Sequence, residues 1–247
     1  MKPYTDFYTK GFQVIPNVLN REQILNYKKL LDDVYDKQLT EFKDLELIGE
    51  QNTVRSPFLY DLSFYELFYS SFTNKIVKDI LGEHAILSLQ NGILIPANHF
   101  HHQAFYHRDL IYQEFTSSRP LSFNLYYCLD DYTLESGGTT FIPFSHKKEK
   151  MPIHYNEETP TVKKGSVILF DSMTYHKAGI NKTKSSRYGI NNMYTLPFIK
   201  QQINYPYYLK EKTKDSKLNR LLGFESREFL SVNNFRQYRL KRKKNEK

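Results

Sequence analysis

The sequence predicts a mainly β domain, a sandwich or barrel, with helices flanking it, and three observations carry that prediction. Amphipathic helical periodicity is confined to the first third of the chain, ending near Gly82. From residue 85 onward the apolar runs are short, β-branched and bounded by Gly or Pro. Within them, Leu121 to Leu129 alternates strictly, with Leu121, Phe123, Leu125, Tyr127 and Leu129 on one face and Ser122, Asn124, Tyr126 and Cys128 on the other. Such alternation describes a strand that packs one face on a second layer and turns the other to something more polar, either solvent or a ligand cavity.

Taken in order, Gly11-Phe-Gln-Val-Ile-Pro16 reads as a short extended piece ending at proline. Asn20 with Gln23 three residues on is a capping-box pattern, and Ile24, Tyr27, Leu30, Leu31, Val34 and Tyr35 follow at helical intervals, so a helix is expected over 21–38. The mixed, polar stretch 39–60 reads as a loop or lid. Helical periodicity returns over Leu62 to Leu81, with Gly82 as the stop. Strands are then expected over Ala85–Pro96, Leu121–Leu129, Gly165–Asp171 and Arg187–Tyr194, with Gly137-Gly138-Thr139 as a tight turn into Thr140–Pro143. Strands at this spacing suit a sandwich or barrel.

At 247 residues the chain is long enough to bury a substantial core, and a β-barrel of this size is ordinarily one domain. We expect a single domain over 1–235, with a helical part to about 82, a β core over about 83–204 and a closing segment 205–235, followed by a basic tail 236–247. The net charge of +8 is concentrated in that tail, which holds seven basic residues and one acidic; without it the balance falls from 35 against 27 to 28 against 26. A nearly neutral body argues against nucleic acid as a partner, and the tail reads as a solvated, frayed terminus. No apolar run reaches the length of a membrane span, no signal core follows Met1, and the lone Cys128 cannot form an internal disulfide. The expected location is the cytoplasm.

Chemistry is suggested first by His107-Arg108-Asp109. Residues i and i+2 of an extended segment project to the same side, so His107 and Asp109 can grip one metal ion while Arg108 points away. A third ligand is available in His176, just after the apolar run Val167–Phe170. Two imidazoles and one carboxylate on one face of a metal form the facial triad of non-haem Fe(II) oxygenases. His99, His101 and His102 form a separate cluster, but no cysteine or carboxylate pattern completes a site around them, and a solvated loop is the expectation. His146 is assigned the support of a turn.

The order His107-x-Asp109, Gly137-Gly138-Thr139, Ser145-His146, His176 and Arg187 resembles the phytanoyl-CoA dioxygenase family of Fe(II)/2-oxoglutarate oxygenases, over most of the chain from Gly11 to Gln202. The resemblance implies a double-stranded β-helix (jelly roll, cupin-like) core behind N-terminal helices. It also implies His107, Asp109 and His176 as iron ligands, 2-oxoglutarate and dioxygen as co-substrates, and Arg187 as the anchor of the distal carboxylate, which a guanidinium grips with two parallel bonds. Two departures stand out. Phe144 replaces the family's usual Gly, and Ala178 replaces a Ser that touches the co-substrate carboxylate, a contact that Tyr126 is placed to supply. Gln90 and Asn91 are expected to add polar contacts.

The function expected is hydroxylation of a small-molecule substrate, with decarboxylation of 2-oxoglutarate to succinate and carbon dioxide. Two alternatives stay open: a non-catalytic jelly-roll module that only holds a ligand, and a halogenase, which requires a small residue where this chain has Asp109. The segments 39–60, 98–106 and 111–119 are expected to cover the barrel mouth, and neither the substrate nor the oligomeric state is written in them.

Overall fold

The computed structural model describes residues 3–99, 102–226 and 228–245. A six-stranded antiparallel sheet is its frame. Among the described residues, seven α-helices, α1 (Thr5–Lys10), α2 (Arg21–Glu41), α3 (Tyr65–Phe68), α4 (Ser71–Leu81), α5 (Tyr205–Leu209), α6 (Ser216–Leu221) and α7 (Val232–Asn245), accompany eight strands. These are β1 (Phe12–Ile15), β2 (Thr53–Arg55), β3 (Ile86–Ile95), β4 (Ser122–Cys128), β5 (Thr140–Phe141), β6 (Val167–Asp171), β7 (His176–Lys177) and β8 (Arg187–Thr195). The large sheet has the order β1-β6-β4-β8-β3-β2, and β5 pairs with β7 in a second, smaller sheet. Isolated antiparallel bridges at Tyr132↔Val162, Phe141↔Glu158, His107↔His176 and Ser136↔Asn181 extend that second layer. This is the jelly-roll arrangement the sequence led us to expect.

The two faces of the large sheet are sorted by the alternation of its strands. Phe123, Leu125 and Tyr127 of β4, Val167 and Leu169 of β6, and Ile190 and Tyr194 of β8 pack with Ile24, Tyr27, Leu31 and Val34 of α2, with Leu67 and Phe68 of α3, and with Ile76, Val77 and Ile80 of α4. The helical stripe closes onto the sheet at Gly92, where an added Cβ would sit 2.4 Å from the Leu31 Cδ2. The opposite face holds a smaller cluster between the sheets, in which Phe12, Ile93, Ile95, Tyr126, Cys128, Ile168 and Phe170 meet Tyr132 and Phe141. Phe12 and Phe141 stack at 4.4 Å across that gap.

Several expectations need revising. α2 starts where predicted, with the Asn20 side chain accepting from Gln23 N at 2.9 Å and the Gln23 side chain accepting from Asn20 N at 3.0 Å, but it runs three residues past 38, to Glu41. The stretch 39–60 is not simply a loop, because Thr53–Arg55 is an edge strand and Pro57–Leu59 a tight helical turn. With β1 on the other edge, the N-terminal part therefore contributes to the sheet as well as covering it. The expected helix 62–81 is broken at Tyr69–Ser70, where Ser70 and Thr73 form a second capping box that restarts it as α4. The basic tail is not frayed: its described residues lie in the exposed helix α7. Phe144 adopts φ 65°, the left-handed conformation that favours glycine, so the backbone keeps the shape despite the side chain.

Among the described residues, no helix is long and apolar enough to cross a membrane.

Candidate metal centre

Backbone pairing brings the predicted ligands together. His107 N donates to His176 O at 3.0 Å and His176 N donates to His107 O at 3.1 Å, so the two histidines face each other across an antiparallel bridge. Asp109 N donates to Ser172 O at 3.0 Å, a second tie between the same two segments. Because His107 and Asp109 are two residues apart on this extended piece, both side chains turn to the side on which His176 lies. His107 Nε2 lies 3.9 Å from Asp109 Oδ1, and His176 Nε2 lies 3.7 Å from the same oxygen. Ligand atoms from the three residues lie within 4.8 Å of one another, the separation expected of groups that can hold one metal ion.

The second nitrogen of each ring fixes the first. His107 Nδ1 is 2.9 Å from the Phe105 carbonyl and His176 Nδ1 is 2.9 Å from the Thr174 carbonyl. A carbonyl only accepts, so each Nδ1 carries the proton and each Nε2 presents a lone pair. His107 Nε2 is buried without a partner, an orphaned acceptor that a cation would satisfy. Burial lowers the His176 pKa to about 4, against the pull of Asp109, so this imidazole is neutral and ready to ligate at neutral pH. Phe170 at 4.9 Å and Phe141 at 6.0 Å wall its ring.

Arg108 does point away, but into protein rather than solvent. Its guanidinium donates to the carbonyls of Met173 at 2.9 Å, Ser145 at 2.9 Å and Glu149 at 2.7 Å and to that of Lys148, and it stacks on Tyr175 at 4.1 Å. This clamp ties the first two ligands to the segment that delivers His176.

Arg187 opens β8 and is 3% exposed, on the face that looks between the sheets. It lies over the Tyr132 ring at 4.0 Å, while its Nε and Nη1 are buried without partners. A buried cation with unmet donors is suited to a carboxylate. Burial raises the Tyr126 and Tyr132 phenols, so both stay protonated, and their hydroxyls meet at 3.1 Å. Gly189, next on this face, leaves room for both rings: an added Cβ would lie 2.3 Å from the Tyr132 hydroxyl and 2.4 Å from Tyr126 Cε1. Ala178 packs against the same inter-sheet cluster and brings no hydroxyl.

The remaining predicted residues fall elsewhere. Gln90 faces the helices, donating to Phe64 O at 3.1 Å and accepting from Phe58 N at 3.2 Å, so it is removed from the site. Asn91 is on the inter-sheet face, yet with its amide oriented to suit its neighbours it accepts from Arg55 Nη1 at 2.8 Å and donates to Gln90 O at 2.8 Å. The His99 backbone pairs with Asn181, and His101 lies outside the described residues. His146 occupies the helical turn Ser145–Lys147, with Nε2 3.4 Å from Tyr8 O.

Sequence reasoning missed Asn124, Tyr132 and Asn181. Asn124 Nδ2 donates to Asp109 Oδ2 at 2.7 Å. Asn181 is fully buried and donates to the carbonyls of Ile95, Pro96 and Ser185 at 3.0, 3.2 and 2.8 Å, fixing the turn that leads into Arg187. Its position in the turn sequence Gly179-Ile-Asn-Lys-Thr183 was the available signal, since Asn side chains commonly bond nearby backbone in turns.

The chain has relatives that share this plan. An uncharacterised Mycobacterium tuberculosis protein, Rv1501, is 29% identical over 239 residues, covering 92% of this chain and 88% of the relative. Among solved structures, EctD from S. alaskensis with 2-oxoglutarate and 5-hydroxyectoine superposes with a TM-score of 0.67 at 16% identity, over 78% of this chain and 74% of that one. The epimerase SnoN in complex with Fe3+, alpha ketoglutarate and nogalamycin RO superposes with a TM-score of 0.57 at 16% identity, over 85% and 89% of the two chains. At such identities these two likenesses speak to fold. The sequence profile of phytanoyl-CoA dioxygenase (PhyH) matches residues 7–189, which is most of the chain, and the protein belongs to that family.

Proposed function

We propose that this oxygenase is an Fe(II)/2-oxoglutarate-dependent hydroxylase of a small molecule, with His107, Asp109 and His176 as the iron ligands and Arg187 as the anchor of 2-oxoglutarate. The observation that carries the reading is the convergence of His107 Nε2, His176 Nε2 and Asp109 Oδ1, with both imidazole tautomers set for ligation and one orphaned lone pair among them. Two neutral nitrogens and one carboxylate oxygen suit Fe(II), and a set of three on one side leaves positions for a bidentate 2-oxo acid and dioxygen. Bound there, iron supplies the coupling between oxidative decarboxylation of 2-oxoglutarate, giving succinate and carbon dioxide, and oxidation of a C–H bond of the substrate.

The chain's own residues would do the rest. Arg187 receives the distal carboxylate with its unmet donors, on the face of β8 that looks between the sheets. Tyr126, protonated and bonded to the tyrosine on which Arg187 stacks, supplies a second donor in place of the hydroxyl missing at Ala178. Phe12, Phe141, Phe170, Ile93 and Ile95 exclude water from the region between the sheets. Phe105, Ile111, Tyr112 and Phe115, all exposed on the segments either side of the His107-Asp109 pair, offer the substrate an apolar approach. Asp109 occupies the position that a halogenase keeps clear for halide, which favours oxygen transfer as the outcome.

A screen of candidate metabolites, scored by succinate release from 2-oxoglutarate, tests this reading. Release that depends on Fe(II) and on an added substrate is expected. Absence of any Fe(II)-dependent turnover of 2-oxoglutarate would favour a module that only holds a ligand.

A further inference from the structure

Asn124 sits on the inter-sheet face of β4, fully buried, and its side chain bonds Asp109 and two residues around it. Its Nδ2 donates to Asp109 Oδ2 at 2.7 Å and to Ser172 Oγ at 3.0 Å. Its Oδ1 accepts from Asn191 Nδ2 at 2.8 Å. Ser172 is held in turn by Ser122, with the two hydroxyl oxygens 2.8 Å apart, and the Ser172 carbonyl receives the Asp109 backbone N–H at 3.0 Å.

The orientation of this chain is dictated by its first member. An ionised carboxylate only accepts, so the amide nitrogen of Asn124 must face Asp109 and its oxygen must face Asn191, whose own nitrogen is thereby committed. Both N–H groups of Asn124 are used. The result is a one-way relay, Asn191 to Asn124 to Asp109, ending on Oδ2, while Oδ1 is the oxygen that lies within 3.7 and 3.9 Å of the two histidine nitrogens.

We propose that Asn124, oriented by Asn191 and Ser172, is a positioning residue that makes Asp109 a one-oxygen ligand; the inference rests on the metal-centre reading above. Occupying Oδ2 has two consequences. The carboxylate cannot rotate to present either oxygen, so the triad is organised before the metal arrives. Oδ2 also cannot close a chelate, which would take a coordination position that the bidentate 2-oxo acid and dioxygen require. Asn191, in the row next to Tyr126 and four residues along β8 from Arg187, connects the co-substrate wall to the metal ligand.

The test titrates Co(II) alone into the metal-free full-length chain by calorimetry and follows the visible Co(II) band as 2-oxoglutarate is added. Thermal unfolding is measured on every variant. Asn124→Leu keeps the volume and removes both donors; Co(II) affinity is expected to fall by about tenfold or more, the usual range for losing such an outer partner. The response of the Co(II) band to 2-oxoglutarate should weaken further than metal affinity alone explains, because Oδ2 is released to compete. Asn191→Ala removes only the far bond of the relay, on a partly exposed residue, and should weaken Co(II) by about threefold; it keeps the proposal testable should Asn124→Leu fold poorly.

Asn192→Ala is the control. Asn192 is equally buried but faces the helices, donating to Leu67 O at 2.9 Å, so its loss should lower thermal stability and leave Co(II) affinity unchanged. Co(II) affinities for Asn124→Leu and Asn191→Ala within about twofold of wild type would overturn the positioning role. A wild-type chain that fails to bind Co(II), or one whose binding survives His107→Ala, would overturn the metal reading beneath it instead.

Discussion

Replacing Arg187 with lysine keeps a positive charge and removes a geometry. In the wild type the guanidinium is 3% exposed, lies 4.0 Å over Tyr132 and holds Nε and Nη1 without partners, so its donors are free for the proposed two-pronged contact with a carboxylate, which Nη2 shares with either of them. A lysine ammonium is a point charge that cannot stack on the ring or make the paired contact. Losing one bond to a charged group costs about 1.5–3 kcal/mol, which corresponds to a factor of roughly ten to a hundredfold or more. The apparent KM for 2-oxoglutarate should therefore rise at least about tenfold in Arg187→Lys. Initial rates of succinate formation across a 2-oxoglutarate series, at saturating iron, measure it. Iron dependence should change little. A variant with unchanged 2-oxoglutarate dependence but weakened iron binding would show that Arg187 is structural and that the anchor lies elsewhere.

Other perturbations follow from the same geometry. Gly189→Ala would drive a Cβ to 2.3 Å from the Tyr132 hydroxyl and 2.4 Å from Tyr126, so overpacking of about 1–3 kcal/mol should displace the rings beneath Arg187. Affinity for 2-oxoglutarate should drop while metal affinity holds, and a crystal structure or titration showing both unchanged would count against the pocket. Arg108→Ala leaves the carbonyls of Ser145, Lys148, Glu149 and Met173 without their donor, at a cost on the order of 3–5 kcal/mol, read as a lower urea midpoint; a variant as stable as wild type would refute the clamp. Stability of the metal-free chain should also fall between pH 6 and 4. His176 and His146 are held near pKa 4 by burial against an ordinary 6.5, so the unfolded chain binds protons that the folded chain refuses, and their contribution is lost as pH falls through that window. Asp171, raised by burial from 3.8 to about 6, acts in the opposite sense. With His146 partly exposed, the net slope is about 1 kcal/mol per pH unit, and urea midpoints that rise on acidification would contradict it.

The features legible in the sequence were those fixed by strict periodicity or by chemistry that few residues can perform. The alternation over 121–129 located both faces of β4, and the His107-x-Asp109 spacing placed two ligands on one side because strand geometry allows nothing else. Gln90 and Asn91 show the limit. Both are polar, both sit in a strand buried on its two faces, and β3 carries a register irregularity between Leu87 and Leu89, so no alternation marks which of them looks between the sheets. The break at Tyr69–Ser70 was written in Ser70-x-x-Thr73, but apolar residues continue the helical spacing across it and mask the cap. Arg108, Asn124 and Tyr132 were illegible for another reason. Their roles depend on partners distant in sequence, 15 residues away for Asn124 and Asp109 and 56 for Tyr132 and Tyr188, that only the closed sheet brings within reach. The exposed helix α7 has no apolar face to betray it.

One metal ion and one 2-oxo acid are proposed to meet at His107, Asp109 and His176. Adding Fe(II) and then 2-oxoglutarate to the full-length chain under anaerobic conditions tests it most directly, because the bidentate chelate of a 2-oxo acid on ferrous iron gives a weak visible charge-transfer band. That band is expected in the wild type and is expected to be lost in Asp109→Ala, where two imidazoles alone neither neutralise nor orient the metal. A wild-type chain that shows no band would mean that no ferrous 2-oxo acid chelate forms here, and an Asp109→Ala variant that shows it undiminished would remove Asp109 from the ligand set.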